Sequence, residues 1–566
     1  MLLAAPRMGL IEELVEHASL GGALRLLAYL FVCFIVYASL EILLQNFKLA
    51  RRGPRGSRIP STLPFGRDYS SNYQVPASRA NSNAGLSVVY GTIKAVKEHK
   101  NLDKWRQFIG PQNSYTAETR IIMRRLILTA HPENIKAILA TQFNDYGKGK
   151  PFHKEWKPFL GDSIFTTDGD LWHGSRQLIR PQFIKDRVSD LNTFEAHMKI
   201  LFRAIANGGA LNGEDQHVDI AAGNGRPVDI SDLFFRFTLD SATDFLLGSD
   251  VKSLTTPVNE FAHAFGEAQR IQNLISRAGP LTPFFPRGAF RGHMKVINKF
   301  IDQYIDLALE LKPEELESKS KSDTGYTFLH ALAGFTRDRK VLHDQLIAVL
   351  LAGRDTTAST LSWAIYELAR HPEAVKKLRE EILNVVGPDR APTYEHLKGM
   401  KYLQNVMNET LRLYPSVPFN VRLALKDTTL PFGGGPDGSQ PLHVLKDTPI
   451  GYSTLLMQRR ADLYPPVSPT FPDVEVFSPD RWFHWQPKPW QYIPFNGGPR
   501  ICIGQQFALT EMGYVLTRLF QKYERVDSLM GPVDGGNPTL KAEIVLSPGD
   551  GVKVAFWEAR RGDTKN

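Results

Sequence analysis

The hydrophobic pattern of the chain begins with one long apolar run near its amino terminus. Leu26–Leu40 contains no charged residue, and the wider stretch 24–44 carries only Arg25 and Glu41. About 20 apolar residues span a bilayer, and charged residues at the ends of such a run can reach the membrane surface. The pattern therefore predicts a transmembrane anchor over 24–44. The alternatives are a cleaved signal segment and a buried core helix.

Charge around this run is asymmetric. Acidic residues precede it between positions 12 and 16, and the densest basic run of the chain follows it from Lys48 to Arg58. By the positive-inside rule the body of the protein then faces the cytosol. The two prolines of Arg58–Pro64 predict a stiff hinge. We expect three parts, namely an N-terminal segment with the anchor (1–50), a basic hinge (51–65) and one large domain (66–566).

Further along the chain, helical periodicity alternates with short β-like runs. Apolar runs within 119–129 predict a strand that ends near His131. The spacing of apolar residues predicts helices over Leu233–Gly248 and Asp338–Arg370. The stretch Phe261–Arg291 is aromatic and interrupted by prolines, which makes it a candidate lid.

Composition and charge limit the classes of protein to which this chain can belong. The chain has 566 residues, of which 42% are hydrophobic and 22% charged, as in a globular protein with a large core. It shows no repeat, low-complexity tract or long internal linker. A nucleic-acid-binding protein would concentrate its net charge of +9 in basic runs of the body, whereas the densest run here lies beside the apolar segment. This favours membrane lipid and argues against nucleic acid as a partner.

Cys502 is the only cysteine outside the apolar run, in which Cys33 lies. This count excludes a zinc site built on several cysteines and an intramolecular disulfide framework, and it leaves a functional thiolate or a buried structural cysteine. Cys502 lies in a loop rich in glycine and proline, and a helix is predicted from Gln505. A position at a helix N-terminus lowers the pKa of a thiol. Phe495 can pack against a flat cofactor, and Arg500 can bind its acidic groups.

The ten residues Phe495–Gly504 read Phe-x-x-Gly-x-Arg-x-Cys-x-Gly. They resemble the haem-binding loop of the cytochrome P-450 superfamily at all of its defining positions. The resemblance extends from about Pro60 to the end of the chain. It implies a haem b (iron protoporphyrin IX) with the thiolate of Cys502 as its axial iron ligand, and with Phe495, Arg500 and Gly504 around it.

The same resemblance implies the fold of the superfamily. This fold is a triangular, helix-rich haem domain, mainly α with small β-sheets, and here a single transmembrane helix would precede it. The alternative interpretation of Phe495–Gly504 is a glycine-rich surface loop with an incidental cysteine.

Trp172 and Arg176 stand four positions apart, so on a helix the indole N–H and the guanidinium share one face. Two donors on one face suit a carboxylate, and haem carries two propionates. The superfamily has Trp-x-x-x-Arg in its C helix for this purpose, and Arg422 stands where it often has another propionate ligand. An ordinary amphipathic helix is the alternative.

The predicted helix over Asp338–Arg370 contains Ala352-Gly-Arg-Asp-Thr-Thr357, a run of poor helix formers of the kind found at functional sites. We expect Thr356 to hydrogen-bond to the carbonyl of Ala352 and to open a local bulge. The motif resembles the oxygen-activation site of the superfamily. This implies that Asp355 and Thr356 supply protons during catalysis. A helix bent for packing is the alternative.

Glu409 and Arg412 stand three positions apart and meet on one helix face. The resemblance implies a buried structural triad with Arg481, in which Trp482 follows where Phe is frequent. It also implies that the stretch after this helix passes beside the haem. The expected substrate pocket then contains four apolar residues, Ala352, Val417, Phe419 and Val421.

Four stretches resemble the fungal n-alkane and fatty-acid hydroxylase branch: Asp240–Gly248, Ala352–Thr357, Gly433–Gly438 and Cys502–Glu511. This implies terminal hydroxylation of fatty acids or n-alkanes, with hydroxylation of a fungal secondary metabolite as the alternative, because scaffold motifs do not choose a substrate. Two further alternatives are an O2-independent haem-thiolate isomerase or dehydratase, which would lack the acid–alcohol pair, and a non-catalytic haem-binding protein.

The expected partners of the protein are inferred from the absence of certain cofactor-binding motifs in the sequence and from the family resemblance. Because the sequence has no flavin or nicotinamide fingerprint, electrons are expected from NADPH-cytochrome P-450 reductase, with cytochrome b5 as a further candidate donor. The other expected partners are O2 and a hydrophobic small molecule. Arg180 and Lys185 are candidates for docking an acidic reductase. Microsomal members of the superfamily suggest a single-pass protein of the endoplasmic reticulum membrane, with its catalytic domain in the cytosol.

Overall fold

The computed structural model describes residues 20–51, 53, 56, 91, 94–121, 124–183, 191–277, 282, 285–316 and 327–558. The described α-helices are α1 Leu20–Ala50, α2 Asn101–Phe108, α3 Pro132–Lys136, α4 Gly149–Leu160, α5 Gly169–Ile179, α6 Asn192–Asn207, α7 Ile230–Leu247, α8 Glu260–Arg277, α9 Gly288–Glu310, α10 Phe328–Phe335, α11 Arg339–Leu368, α12 Pro372–Val385, α13 Tyr394–Gly399, α14 Lys401–Leu413, α15 Thr454–Met457, α16 Arg481–His484, α17 Gln505–Lys522 and α18 Gly531–Asp534.

Within the described residues the strands are short and form four small sheets. They are β1 Thr116–Ile121, β2 Arg124–Thr129, β3 Tyr146–Gly147, β4 Pro227–Asp229, β5 Phe419–Ala424, β6 Thr428–Gly434, β7 Gln440–Val444, β8 Pro449–Ser453, β9 Tyr523–Ser528, β10 Leu540–Ala542, β11 Leu546–Pro548 and β12 Lys553–Glu558. The largest sheet has the order β1-β2-β8-β5-β3. In it β2 and β8 are parallel and the other pairs are antiparallel. The other sheets are β4-β12-β9, β6-β7 and β10-β11.

Helix α1 contains the predicted anchor. Within its segment Ala28–Ala50, a stretch of 18 residues has a mean hydropathy of 1.9 and no buried residue, so the helix is long and apolar enough to cross a membrane. The helix is longer than the expected 24–44 and includes Lys48 of the basic run. The hinge expected at Arg58–Pro64 lies outside the described residues.

The single strand expected within 119–129 is instead a hairpin. β1 and β2 pair antiparallel, with Ile121 opposite Arg124. The first strand lies mostly before the apolar runs, and Arg124 and Arg125 belong to the second strand, where they pair with Ile121 and Arg120. The candidate lid at 261–291 falls largely on α8 and on the start of α9, and part of the connection between them lies outside the described residues.

Helix α11 crosses the interior. Asp338 caps it by accepting hydrogen bonds from the N–H groups of Lys340 and Val341. Most of its residues are buried, so it is surrounded by core on nearly all sides. Its neighbour α7 ends at Gly248, whose φ of 74° is the left-handed conformation that glycine favours at a helix end. α11 thereby holds Asp355 and Thr356 in the interior.

Candidate active site

The loop before α17 presents Cys502 through tight backbone geometry. The N–H of Cys502 donates to the carbonyl of Phe495 at 3.0 Å, which closes the loop. Gly498 has a φ of 64°, and a Cβ there would lie 2.0 Å from the carbonyl oxygen of Leu139. Glycine is therefore required at this position for both conformation and space. α17 then begins at Gln505, as the sequence predicts.

The Cys502 side chain is exposed, yet protein surrounds it densely, so its exposed surface faces a recess. Burial raises the pKa of the Cys502 thiol, whereas the N–H of Gly504 and the charge of Arg176 lower it. The sequence predicts a lowered pKa from the helix N-terminus, but in the protein alone desolvation outweighs that contribution. A bound metal cation reverses the balance, because a coordinated thiol is deprotonated.

Open space next to the thiol is consistent with a bulky cofactor. Gly504 has an ordinary φ of −82°. A Cβ there would contact only Phe183, at 3.9 Å. No contact within the protein therefore requires glycine at this position, two residues after Cys502. A bulky cofactor bound at the thiol would explain the glycine, because a side chain here would occupy the same space.

Cations gather close to this recess. The Arg422 guanidinium is buried and donates to Oδ1 of Asn420 at 2.7 Å, and the Lys148 Nζ lies 3.5 Å from the same oxygen. Arg500 donates to Oδ1 of Asp168 at 2.6 Å. Asp168 also accepts the backbone N–H groups of residues 148 and 149.

This cation cluster, Lys148, Arg422 and Arg500, carries more positive charge than Asp168 neutralises. Burial and the repulsion of Arg422 lower the pKa of Arg500 to about 10. Burial and the charges of Arg422 and Arg500 also lower the pKa of Lys148 strongly. Buried cations are normally paired, so the cluster fits an acidic group. The two propionates of a haem would supply that charge.

Trp172 and Arg176 lie on α5 beside this cluster, as expected. The Arg500 guanidinium lies 4.6 Å from the centre of the Trp172 ring, and that of Arg176 lies 5.9 Å from it. The structure thus brings Trp172, Arg176, Arg422 and Arg500 to one region. Phe495 is half-buried in the cysteine loop.

The acid–alcohol pair lies on α11. The Thr356 hydroxyl donates to the carbonyl of Ala352 at 2.7 Å, so the expected hydrogen bond is present. The expected bulge is absent, because residues 339–368 form one continuous α-helix. The hydroxyl bonds to the carbonyl of the preceding turn without displacing the helix there. Asp355 is buried with Oδ1 3.3 Å from Nη1 of Arg354, and burial raises its pKa.

Glu409, Arg412 and Arg481 form a fully buried cluster. Arg412 donates to Glu409 at 2.7 and 2.8 Å, and Arg481 donates to it at 3.2 Å. The guanidinium groups also donate to the backbone carbonyls of residues 472–476. The cluster ties α14 to the segment that leads to the cysteine loop.

The four expected pocket residues differ in environment. Val417 and Val421 leave 38% and 47% of their surface exposed, whereas the Phe419 ring stacks on Trp105 at 4.8 Å. Ala352 is half-buried on α11. Ser416, directly before Val417, donates to the carbonyl of Thr356 at 3.5 Å. This contact brings the segment that carries Val417 close to α11 at Thr356.

Sequence reasoning missed two residues of this site. Lys148 lies between two glycines in a segment that carries no recognisable motif. Asp168 organises the cluster through backbone N–H groups, and no sequence spacing indicates such a contact. Arg180 lies in a short helical turn after α5, and Lys185, its expected companion, lies outside the described residues.

Comparisons with known proteins agree with this geometry. The family model for Cytochrome P-450 matches residues 88–546. The chain is 55% identical over 531 residues to cytochrome P-450 monooxygenase pvhE of Talaromyces variabilis, covering 94% of this chain and 97% of that protein. It is 41% identical over 494 residues to cytochrome P-450 52A1 of Candida tropicalis, covering 83% and 86%. A crystal structure of a cytochrome P-450 haem domain shares the fold, with a TM-score of 0.65 and 20% identity over 83% of this chain and 95% of that one.

Proposed function

The chain belongs to the cytochrome P-450 family, and on that premise we propose that this haem-thiolate monooxygenase hydroxylates the terminal carbon of fatty acids or n-alkanes. Its similarity to the 52A relatives supports this proposal, together with the sequence resemblance to the n-alkane and fatty-acid hydroxylase branch. Among the structural features, one contact supports the proposal most directly. Ser416 donates to the backbone carbonyl of Thr356 and brings the segment with the exposed, apolar Val417 close to α11. A hydrocarbon chain end suits such a surface.

The residues of the site hold the cofactor as follows. Cys502 would supply the thiolate ligand of the iron, and the cation cluster with Arg176 and Trp172 would bind the propionates. When bound, the haem supplies the chemistry that activates O2 and inserts one oxygen atom into a C–H bond. The triad of Glu409, Arg412 and Arg481 keeps the segment before the cysteine loop in place.

Asp355 and Thr356 move protons to the site. Burial raises the pKa of Asp355, because it disfavours the carboxylate. The Thr356 hydroxyl donates to Ala352, which leaves its oxygen free to accept a hydrogen bond from water. This intact pair argues against an O2-independent isomerase or dehydratase. A non-catalytic haem protein would have no use for it.

A second candidate is hydroxylation of a secondary metabolite. The observation that favours it is the 55% identity with pvhE, which exceeds the 41–44% of the 52A relatives. In this case the same scaffold would hold a different, bulkier substrate against Val417 and Phe419.

We extend the proposal to partners and location. NADPH-cytochrome P-450 reductase, with or without cytochrome b5, supplies electrons and docks near Arg180. Helix α1 anchors the protein in the endoplasmic reticulum membrane, with residues 1–50 as the anchor segment, 51–65 as the link and 66–566 as the cytosolic haem domain. A double charge reversal at Arg180 and Lys185 that left electron transfer unchanged would contradict this docking site.

The deciding experiment is an optical titration of the purified ferric holoenzyme with fatty acids and n-alkanes of graded chain length. We expect a saturable low-to-high-spin shift with an optimum at one chain length. A thiolate-type spectrum that neither class shifts would contradict terminal hydroxylation and favour the secondary-metabolite candidate. Products are then identified with reductase and NADPH, and the Cys502→Ala variant serves as the control without a thiolate.

A further inference from the structure

The end of α8 carries an arginine that lies against the hairpin of β10 and β11. Arg277 is the last residue of α8 and is half-buried. Its Nη2 donates to the carbonyl of Ala542 at 2.6 Å and to that of Glu543 at 3.3 Å. Its Nε donates to Oδ1 of Asn273 at 3.1 Å. All three acceptors are neutral oxygens, so they hold the guanidinium in position without neutralising its charge.

Arg277 differs in this respect from the other cations in its surroundings. Those on α8, before α9 and on β10 each lie close to a carboxylate, at 2.8, 3.0 and 3.5 Å in the pairs Arg270–Glu267, Arg287–Glu155 and Lys541–Glu543. Among the described residues, no carboxylate forms such a pair with Arg277. Burial lowers the pKa of the Arg277 guanidinium because it disfavours the charged form, and only the charge of Glu543 opposes this. A bound anion would offset the cost of burying this cation.

The hairpin beside Arg277 is also attached to the segment that carries Val417. Ala542 pairs with Leu546 across the hairpin. The N–H of Leu546 donates to the carbonyl of Ser416 at 3.0 Å. Ser416 directly precedes Val417, which leaves 38% of its surface exposed. A single two-stranded hairpin therefore connects the cation at the end of α8 with the expected substrate pocket.

Apolar side chains accompany this cation. Leu274 stands one turn before Arg277 on α8 and leaves 42% of its surface exposed, and the hairpin turn contributes Ile544 and Val545. A cation next to apolar surface suits a ligand with an acidic head and a hydrocarbon chain. Guanidinium groups bind carboxylates through two parallel hydrogen bonds. The N–H groups of Nη1 have no partner among the described residues, so they are available for such a ligand.

We propose that Arg277 binds the carboxylate of a fatty acid whose chain follows the hairpin towards Val417, and that it thereby selects fatty acids over n-alkanes. The inference rests on the proposed terminal hydroxylation and narrows its substrate class. A carboxylate held at Arg277 fixes one end of the chain, so chain length decides which carbon reaches the reaction site. An n-alkane of equal length makes the apolar contacts alone. Arg277 takes no part in the chemistry and acts only on binding and position.

The first measurement is an optical titration of the purified ferric holoenzyme with a fatty acid, a primary alcohol and an n-alkane of equal chain length. Arg277→Gln keeps a donor for the Ala542 carbonyl and removes the charge. We expect its Kd for the fatty acid to rise about ten-fold, because a charge-assisted hydrogen bond is lost, while its Kd values for alcohol and alkane stay unchanged. Arg277→Lys keeps the charge without the two parallel donors and should lie between the two.

Arg270→Gln is the matched control, because it removes from the same helix a charge that Glu267 already neutralises. It should bind all three compounds like the parent protein. Equal weakening of acid and alcohol in Arg277→Gln would mean that Arg277 only supports the hairpin. That result, or unchanged binding of the acid, would overturn the inference and leave terminal hydroxylation standing. If neither fatty acids nor n-alkanes shift the parent spectrum, the proposed function and this inference fail together.

The second measurement is the position of the hydroxyl group in the products, obtained with reductase and NADPH over a series of fatty acids. In Arg277→Gln we expect hydroxylation to spread over several carbons near the chain end and the optimum of chain length to flatten, since one end of the chain is no longer fixed. Arg270→Gln should keep the product pattern of the parent protein. The same pattern and the same optimum in Arg277→Gln would show that the carboxylate is held elsewhere.

Discussion

Trp482 donates its indole N–H to Oε2 of Glu409 at 3.0 Å, inside the cluster that Glu409 forms with Arg412 and Arg481. Phe is frequent at this position in the superfamily, and a phenyl ring has no donor. In this chain the carboxylate therefore gains a neutral donor in addition to its two guanidinium partners. The indole also contacts the Tyr492 ring at 4.9 Å, on the path to the cysteine loop.

Replacing Trp482 by Phe should lower the free energy of unfolding by about 2 kcal/mol, since a hydrogen bond to a buried charge is lost while the aromatic packing is largely kept. Urea unfolding of the holoenzyme at constant haem content measures this. Trp485→Phe is the control, because the Trp485 ring packs on Trp482 and Tyr464 and makes no contact with Glu409. Equal losses in both variants would show that packing, and not the hydrogen bond, is responsible.

Removing the Thr356 hydroxyl should uncouple the enzyme. In Thr356→Ala we expect NADPH consumption to continue, while product per NADPH falls about ten-fold, because a positioned proton donor is missing. Thr356→Ser keeps a hydroxyl in reach of the Ala352 carbonyl and should retain most of the coupling. The ratio of NADPH oxidised to product formed is the measurement. Full coupling in Thr356→Ala would contradict the relay.

Lys148 should contribute to haem retention. Lys148→Met keeps the length of the side chain and removes its charge from the cluster with Arg422 and Arg500. We expect haem to dissociate about ten-fold faster, as expected for loss of one charge-assisted contact to a carboxylate. Transfer of haem to an excess of apomyoglobin measures the rate. Lys150→Met is the control, because Lys150 is exposed two residues away. Identical rates in the two variants would exclude Lys148 as a propionate ligand.

Glu511 should make stability depend on pH near neutrality. Its carboxyl is buried on α17 and accepts from Ser241 at 2.6 Å, with Thr357 and the charge of His197 also near it. Burial raises its pKa from 4.5 to about 7. The native state therefore binds more protons than the unfolded state between these values, so its stability falls as pH rises through this window.

The Glu511→Gln variant should lose that dependence, because its amide stays neutral. Between about pH 5 and pH 8 the parent protein should lose roughly 3 kcal/mol more than the variant. Urea unfolding at both pH values checks the difference. Parallel pH profiles would mean that Glu511 does not titrate in this range.

The candidate site residues could be predicted from the sequence because the members of each motif stand close together along the chain. Cys502 with its glycines, Trp172 with Arg176, Asp355 with Thr356 and Glu409 with Arg412 each stand a few positions apart. A helix or a tight loop alone fixes such geometry. The hydrogen bond from Thr356 to Ala352 follows from helical periodicity in the same way. The apolar run of the anchor needs only its length and composition.

Contacts between distant segments were decided by the tertiary structure. Lys148, Asp168 and Arg500 meet because three separate segments converge beside the cysteine loop, and no spacing indicates that they do. The approach of Gln269 to Asp355 depends on how α8 packs on α11. The pKa of the Cys502 thiol in the protein alone depends on both levels, since a helix N-terminus is visible in the sequence whereas desolvation depends on everything that folds around the thiol. Neighbouring residues in the sequence determine local geometry. The burial of a side chain and the contacts between charged residues from distant segments are determined by tertiary packing.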